Sequence, residues 1–161
     1  MTIRDAERRD WPAVLALNAA SVELLSPMDE ARLAKLAVAA CYFRVVERSG
    51  RVAAFLLAFR KGADYDGEIF GFFDSGAEDF LYIDRVAVDE AARGQGLAGR
   101  LYDDICAFAR DLKIRRLVCE AYETNATSLR FHARQRFQAF GRHVLAGAGK
   151  AVTLLAREIP V

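Results

Sequence analysis

The chain has 161 residues, of which 53% are hydrophobic and 28% charged, and its formal net charge is +1. This length predicts one domain over residues 1–161 with a sizeable core. The near-neutral charge and the lack of a Lys- or Arg-rich tract argue against nucleic acid as a partner. No apolar run approaches membrane-spanning length and no apolar signal core opens the sequence, so we expect no membrane partner and a cytoplasmic location. The two histidines and three cysteines lack metal spacing, so we expect no metal.

The first forty residues predict a short strand followed by two helices. Residues 2–6 are expected to form the strand. Asp10 precedes a Trp-Pro pair and is expected to cap the first helix, because Asp is a favoured N-cap and Pro is tolerated in a first turn. Ser26, with Asp29 three places later, resembles a capping box, which predicts a second helix through about Ala40.

Residues 41–47 and 51–60 predict two strands of a hairpin with a turn at Arg48-Ser49-Gly50. The second strand is apolar at successive positions, so both of its faces are expected to be covered. Such a strand belongs in the centre of a sheet.

The next segment, residues 61–79, is predicted to be a long loop, and loops of this length are commonly functional. Its aromatic residues are interspersed with acids, and one lysine accompanies them. Two interpretations are open: the acids attract a protonated amine substrate, or the loop is solvated and anchored by its aromatic residues. The six acids are Asp64, Asp66, Glu68, Asp74, Glu78 and Asp79.

Residues 80–88 predict a strand, and a glycine-rich turn and a helix follow it. The N–H groups in the first turn of a helix have no intrahelical partners, and the helix dipole is positive there. Glycines let an anion approach this backbone closely, and Arg93 adds a positive charge. The turn therefore predicts a phosphate site, with a turn shaped only for packing as the alternative. The helix stripe consists of Leu97, Leu101, Ile105, Phe108 and Leu112.

Two common phosphate motifs fit this turn poorly. The run from Gly94 to Gly99 matches the dinucleotide fingerprint, and Glu120 lies near the expected acidic position. However, residues 89–93 separate the strand from the first glycine, and too few residues follow for a full doubly wound sheet. A nucleotide-triphosphate loop is excluded because no Lys-Ser or Lys-Thr pair follows the glycines.

The remaining residues predict a strand over 114–121, a helix over 125–136 and a closing hairpin of residues 137–144 with 151–158. The order strand, helix, strand between residues 80 and 121 implies a parallel pair with a right-handed crossover.

The run from Tyr82 to Arg100 resembles the acetyl-CoA signature of the GNAT superfamily of N-acetyltransferases: an apolar strand ending in Val-Ala-Val, a short polar link and Arg-Gly-x-Gly-Leu-Ala. One departure is Ala91, where the family commonly has Gln or Arg. A second stretch is similar to the family's Asn-x-x-Ser/Ala helix with a following aromatic, and it comprises Asn125, Ser128, Phe131 and Phe137. The element order also fits, so the resemblance covers nearly the whole chain.

The resemblance implies an α/β (α+β) fold with a mixed, mostly antiparallel sheet of six to seven strands, about four flanking helices and a splayed parallel strand pair. It implies transfer of an acetyl group from acetyl-CoA to a primary amine by direct attack in a ternary complex. The acceptor would be a small-molecule or peptide amine, and a homodimer is an open option. The alternatives are a non-catalytic acyl-CoA-binding or sensor domain of the same fold and a nicotinamide- or flavin-binding enzyme.

Coenzyme-binding residues also follow from the resemblance. Backbone amides of the glycine turn would hold the CoA pyrophosphate, and the edge of the preceding strand would pair with the pantetheine amides. The N–H near the strand end would meet the acetyl oxygen. The predicted coenzyme residues are Val86, Ala87, Val88, Arg93, Gly94, Gln95, Gly96, Leu97, Ala98, Gly99, Asn125 and Ser128.

Two residues are catalytic candidates by the same resemblance. Asp84 stands where family members often carry an acid or histidine, and it would be the general base or be salt-bridged to Arg85 or Arg100. His132 stands where the family often has Tyr, and it would protonate the departing thiolate or be a hydrogen-bonded core residue.

Tyr82 and Asn18 are the predicted substrate contacts. Asn18 is polar on the apolar stripe of the first helix. It either lines an acceptor pocket or is an amide satisfied within the helix packing. Arg136 departs from the pattern, because it stands where a glycine commonly precedes the aromatic residue, and this makes the end of the last helix uncertain.

Overall fold

The computed structural model describes residues 1–21, 25–147 and 149–160. The chain folds into two compact units, one of Met1–Phe59 with Ile83–Ile105 and the other of Arg60–Tyr82 with Cys106–Val161. The seven strands are hydrogen-bonded in the order β1-β2-β3-β4-β5-β7-β6. The predicted fold class, a mixed and mostly antiparallel sheet with one parallel pair, is confirmed.

The first unit contains the N-terminal helices and strands. Its elements are β1 (Thr2–Asp5), α1 (Trp11–Ala20), α2 (Glu30–Ala39), β2 (Tyr42–Arg48) and parts of three others. These are β3 (Arg51–Arg60) except its last residue, β4 (Leu81–Val88) from Ile83 onward and α4 (Leu97–Asp111) as far as Ile105. β2 pairs antiparallel with both β1 and β3. Residues 53–59 of β3 are all buried, which confirms the predicted two-sided burial of this strand.

The hairpin between β2 and β3 turns as its residues predict. Ser49 has a φ of 52° and Gly50 a φ of 73°. Two successive left-handed residues are typical of the tight turn that matches the twist of antiparallel strands.

Asp10 occupies the predicted N-cap position of α1, whereas Ser26 does not cap the second helix. Asp10 precedes α1 but makes no side-chain cap; its carboxylate instead accepts hydrogen bonds from both Arg4 terminal nitrogens at 2.8 Å and from the Glu7 amide at 2.7 Å. The Arg4 guanidinium holds the pKa of Asp10 below its usual value. The second helix begins three residues after the prediction, because Asp29 and not Ser26 accepts the bond from the Arg32 amide, at 2.7 Å.

The second unit contains the C-terminal half of the fold. Its elements are the start of β4, α3 (Glu68–Asp74), the end of α4, β5 (Arg116–Tyr122), α5 (Ala126–Arg134), β6 (Gln138–Val144) and β7 (Ala151–Glu158). β7 pairs antiparallel with β5 and β6, so the predicted closing hairpin is confirmed. β4 and β5 form the predicted parallel pair.

The long loop predicted over residues 61–79 is wrong, because it contains α3. Ile69, Phe70 and Phe73 are buried on this short helix. Phe70 contacts Phe80 with ring centroids 5.7 Å apart, and Phe73 contacts Phe80 at 5.9 Å. Burial of these aromatic side chains stabilises a helix that its three nearby glycines alone would disfavour.

Most acids of this segment are engaged within the unit. Asp74 accepts from the Gly62 amide at 2.8 Å, and Asp79 pairs with Arg60 at 2.8 Å. Glu68 contacts His143 at 2.6 Å and accepts from the Ala146 amide at 3.1 Å. These contacts favour the aromatic-anchor interpretation over a set of acids that attracts an amine.

The end of α5 resolves the question that Arg136 raised. The Phe137 amide donates to the His132 carbonyl at 2.9 Å and the Arg136 amide to the Ala133 carbonyl at 3.0 Å. This is the Schellman pattern of helix termination, and Arg136 has the positive φ of 67° that the pattern requires. The helix therefore ends at Arg134 without the usual glycine.

In the part of the chain that the structure describes, no helix combines the length and the apolar character needed to cross a membrane.

Candidate functional site

The glycine turn joins β4 to α4 and leaves an open surface. The Asp89 amide donates to the Ala53 carbonyl at 2.8 Å, and a short 3-10 turn follows at Glu90–Ala92. Gly94 and Gly96 both have a φ of 76°, which L side chains rarely adopt. A Cβ placed on either would meet no described atom within 4 Å, so a ligand can approach this backbone.

The start of α4 lies at this turn and carries no acidic residue. The Arg100 amide donates to the Gly96 carbonyl at 3.1 Å, which is the first bond of the helix. The preceding first-turn amides, those of residues 97–99, therefore have no intrahelical acceptor. Leu97 anchors the helix in the core, while residues 93–96 are exposed. These amide donors, the helix dipole and the exposed arginine give this surface a positive electrostatic potential, which is the chemistry that suits an anion.

One predicted donor of this row is used elsewhere. The Arg93 amide donates to the Glu90 carbonyl at 3.3 Å and closes the 3-10 turn. Arg93 can therefore contribute its exposed guanidinium to an anion, while the row of available amides starts after it. Sequence spacing could not show whether the Arg93 amide faces a ligand or closes a turn, because no glycine or proline marks the 3-10 turn at residues 90–92.

The structure pairs β4 with β5 in parallel at Leu81–Leu117 and Tyr82–Val118. The edge that the sequence assigns to pantetheine, Val86–Val88, lies further along β4.

Asp84 is part of a buried polar cluster in the first unit. Its Oδ2 accepts from Arg85 Nε at 2.7 Å, and the two side chains are 6% and 4% exposed. Arg85 Nη1 also donates to Asn18 Oδ1 at 3.0 Å and to the Ser26 carbonyl at 3.2 Å. Of the two partners considered for Asp84, the structure brings Arg85 to it.

Asn18 uses both ends of its amide inside this cluster. Its Nδ2 donates to the Ser26 carbonyl at 3.0 Å, its Oδ1 accepts from Arg85, and the residue is 1% exposed. This geometry is that of the satisfied packing amide, the second interpretation of Asn18. A buried polar group is tolerated when each of its atoms is hydrogen-bonded.

Tyr82 is hydrogen-bonded to the carboxylate of Glu120, which the sequence did not indicate as a site residue. Its hydroxyl donates to Glu120 Oε1 at 2.6 Å and lies 2.8 Å from Oε2. Tyr82 is 3% exposed, and the Phe70 ring centroid lies 5.8 Å from its own. The signal in the sequence was the charge itself, because Glu120 interrupts an otherwise apolar run in β5.

Asn125 and Ser128 shape the start of α5. Asn125 is its N-cap, and its Oδ1 accepts from the Ser128 amide at 3.1 Å. The side-chain oxygen therefore already has a structural role. The cap uses one lone pair of Oδ1, so the second lone pair and the two N–H donors of Nδ2 are the groups that Asn125 can offer a coenzyme.

His132 is buried on α5, with 5% of its surface exposed. Its Nδ1 lies 2.8 Å from the Ser128 carbonyl, and since a carbonyl only accepts, this nitrogen carries the proton. The rings of Phe131 and Phe137 lie nearly perpendicular to the imidazole at centroid distances of 5.2 and 5.3 Å. Burial lowers the pKa of His132, and the bond to Ser128 opposes this only in part. The imidazole is therefore neutral near pH 7 and above.

The mixed sheet and the open glycine turn in front of α4 have the architecture of an acetyltransferase domain. The chain belongs to the GNAT acetyltransferase family: the sequence model of the Acetyltransferase (GNAT) family matches residues 2–137. Comparison with curated protein sequences finds no significant match.

Solved structures share the fold over almost their whole length. Ard1 from Thermoplasma volcanium has a TM-score of 0.79 at 20% identity, covering 99% of this chain and 98% of its own. A ribosomal-protein-alanine N-acetyltransferase from Brucella melitensis has a TM-score of 0.73 at 24% identity, covering 98% and 99%. Arabidopsis thaliana NAA60, in complex with acetyl-CoA, has a TM-score of 0.77 at 15% identity, covering 98% and 99%. At these identities the likeness concerns the fold.

Proposed function

We propose that the protein transfers an acetyl group from acetyl-CoA to a primary amine. The observation that carries this proposal is the pair of left-handed glycines in front of α4, which expose first-turn amides beside arginine in a GNAT acetyltransferase fold. A diphosphate carries the charge and the acceptor oxygens that such a turn binds. The NAA60 structure contains acetyl-CoA, which supports the choice of donor.

The chain's own groups fit each part of this donor. The amides from Gly94 to Gly99 would hold the diphosphate, with Arg93 adding its guanidinium. The edge of Val86, Ala87 and Val88 would pair with the pantetheine amides as a strand would. The amide near Val88 would donate to the acetyl oxygen as negative charge develops there. Asn125 and Ser128 would add contacts from the start of α5.

The attacking amine must lose a proton, and two carboxylates are available for it. Asp84 is the base predicted from the strand position, and it is ion-paired with Arg85 at 2.7 Å. Glu120 is a second candidate because a neutral hydroxyl, that of Tyr82, approaches both of its oxygens. The variants Asp84→Asn and Glu120→Gln distinguish the two candidates. The general base is the residue whose replacement lowers kcat and removes the acidic limb of the pH–rate profile.

His132 was predicted to protonate the departing thiolate. That role needs an imidazolium, and burial favours the neutral ring. The role remains a prediction, which His132→Phe tests: loss of kcat with an unchanged KM for acetyl-CoA would support it, and an unchanged kcat would contradict it. The contacts of Asn18 and Tyr82 with the acceptor also remain predictions; both side chains are buried and hydrogen-bonded, Asn18 to Ser26 and Tyr82 to Glu120.

The donor assignment is tested by Gly96→Glu, which adds a negative charge and an unfavourable backbone conformation at the turn. Gly62→Glu is the matched control, because Gly62 has a φ of 88° and equally open surroundings. We expect calorimetry to show no measurable CoA binding by the first variant and wild-type affinity for the second. Undiminished affinity in Gly96→Glu would refute the assignment.

A second function, acyl-CoA binding without catalysis, has one observation in its favour. Asp84 and His132 are both held in buried contacts with their own neighbours. A screen of amine acceptors, small molecules and peptide N-termini together, would follow free thiol release from acetyl-CoA. Tight CoA binding without acceptor-dependent release would favour the binding domain.

A further inference from the structure

The positive end of α4 has an unusual charge environment. Arg100 lies in the first turn of the helix, Arg93 precedes the glycines, and the first turn contains no acid. Cations at a helix N-terminus oppose the dipole and cost stability, whereas an anion there relieves the cost. Local features that oppose the fold are expected where function requires them.

A third arginine reaches the same turn from a different element. Arg48 is the last residue of β2, and its Nη1 donates to Gln95 Oε1. Gln95 lies between the two left-handed glycines, Gly94 and Gly96. The bond from the Asp89 amide to the Ala53 carbonyl keeps the β2–β3 hairpin beside this connection.

The partner of Arg48 is a neutral amide oxygen on an exposed side chain. A guanidinium binds a phosphate oxygen more strongly than a neutral amide oxygen, because the bond is charge-assisted and its fork matches two oxygens. Arg48 and Gln95 are both exposed, so the bond can open without disturbing the core.

We propose that Arg48 is a phosphate-binding residue of the coenzyme site, contributed by the β2–β3 hairpin and exchanging Gln95 Oε1 for a phosphate oxygen of acetyl-CoA. The inference rests on the proposed function. It extends the site beyond the glycine turn to a strand that the sequence motif does not include. The coenzyme carries two kinds of phosphate, the diphosphate and the 3′-phosphate, and both have the required chemistry.

The test compares Arg48→Gln with Arg51→Gln. Arg51 is the cross-strand partner of Arg48 in the same hairpin, so its variant removes the same charge from nearly the same place. Calorimetry with CoA is expected to show about tenfold weaker binding for Arg48→Gln, the loss of one charge-assisted bond at an exposed site, and a smaller change for Arg51→Gln. Added salt should narrow the difference between wild type and Arg48→Gln.

Two further ligands identify the phosphate. Pantetheine has none, so its binding should not distinguish the variants. A loss seen with CoA but not with dephospho-CoA places Arg48 at the 3′-phosphate, and a loss seen with both places it at the diphosphate. Equal effects of the two variants, or no loss in Arg48→Gln while the wild type binds CoA, would overturn the inference and leave the proposed function intact. Failure of the wild type to bind CoA would instead reject the proposed function.

Discussion

Replacing Arg85 by Met is predicted to destabilise the protein strongly. Met keeps much of the buried volume but removes the guanidinium that pairs with Asp84 at 2.7 Å. The side chains are 4% and 6% exposed, so water cannot replace the lost partner. Breaking a buried ion pair by removing one member costs about 3–5 kcal/mol, because the remaining charged group loses its counter-charge.

The same change leaves the Asn18 and Ser26 oxygens without the bonds that Arg85 donates at 3.0 and 3.2 Å. The Ser26 carbonyl keeps the bond from Asn18 Nδ2 at 3.0 Å, whereas the loss of the bond to Asn18 Oδ1 adds to the cost, but not additively within one network. We therefore expect Arg85→Met to lower the free energy of unfolding by about 3–5 kcal/mol in total. This is a large share of the roughly 5–15 kcal/mol by which a folded domain is stable.

The assay is urea unfolding followed by far-ultraviolet circular dichroism. Arg130→Met, at an exposed position on α5, is the control and should change the unfolding free energy by less than about 0.5 kcal/mol. Asp84→Asn added to Arg85→Met should recover about 2 kcal/mol or more, because it removes the charge that Arg85 neutralises in the wild type. A loss below about 1 kcal/mol in Arg85→Met would refute the reasoning.

Two further predictions concern α5. Arg136→Gly should raise the unfolding free energy by about 0.5–1 kcal/mol. The φ of 67° at Arg136 strains an L residue, and removing this strain outweighs the extra chain entropy that glycine loses on folding. An unchanged or lower urea midpoint would contradict this. Burial lowers the folded-state pKa of His132 below its ordinary 6.5, so the unfolded chain binds more protons in the window just below pH 6.5, and stability should fall as the pH drops through that window. His132→Phe should show a smaller loss of melting temperature between pH 7 and pH 5 than wild type, and parallel curves would refute the assignment.

The features that were predicted correctly from the sequence depend on the properties of residues close together in the chain. β3 carries apolar residues at successive positions, and only a strand covered on both faces accommodates them. Gly94 and Gly96 mark a turn that requires positive φ, and the apolar stripe after them marks the helix. These rules act over a few residues, so one sequence suffices to apply them.

The features that sequence missed depend on partners far along the chain. Asn18 and Arg85 are 67 positions apart, and Tyr82 and Glu120 are 38 apart. No local pattern pairs them, which is why Asn18 could be assigned either to an acceptor pocket or to packing. Asp10 likewise makes no side-chain cap, because Arg4 offers a buried carboxylate a stronger, charge-assisted bond.

α3 was missed because its signals conflicted. The segment contains Gly67, Gly71 and Gly76 and many acids, which favour a loop. Phe70 and Phe73 nevertheless lie three positions apart and bury on one side of the helix. Tertiary burial outweighed local propensity here, and the size of that contribution is not visible in the segment itself.

Release of free thiol from acetyl-CoA, measured with a panel of primary amines in wild type and in Gly96→Glu, tests whether the glycine turn serves acetyl transfer. We expect release that depends on both the amine and the enzyme in wild type, and none above background in the variant, because the added side chain closes the diphosphate site. Amine-dependent release at the wild-type rate in Gly96→Glu would contradict the claim that this glycine turn holds the coenzyme.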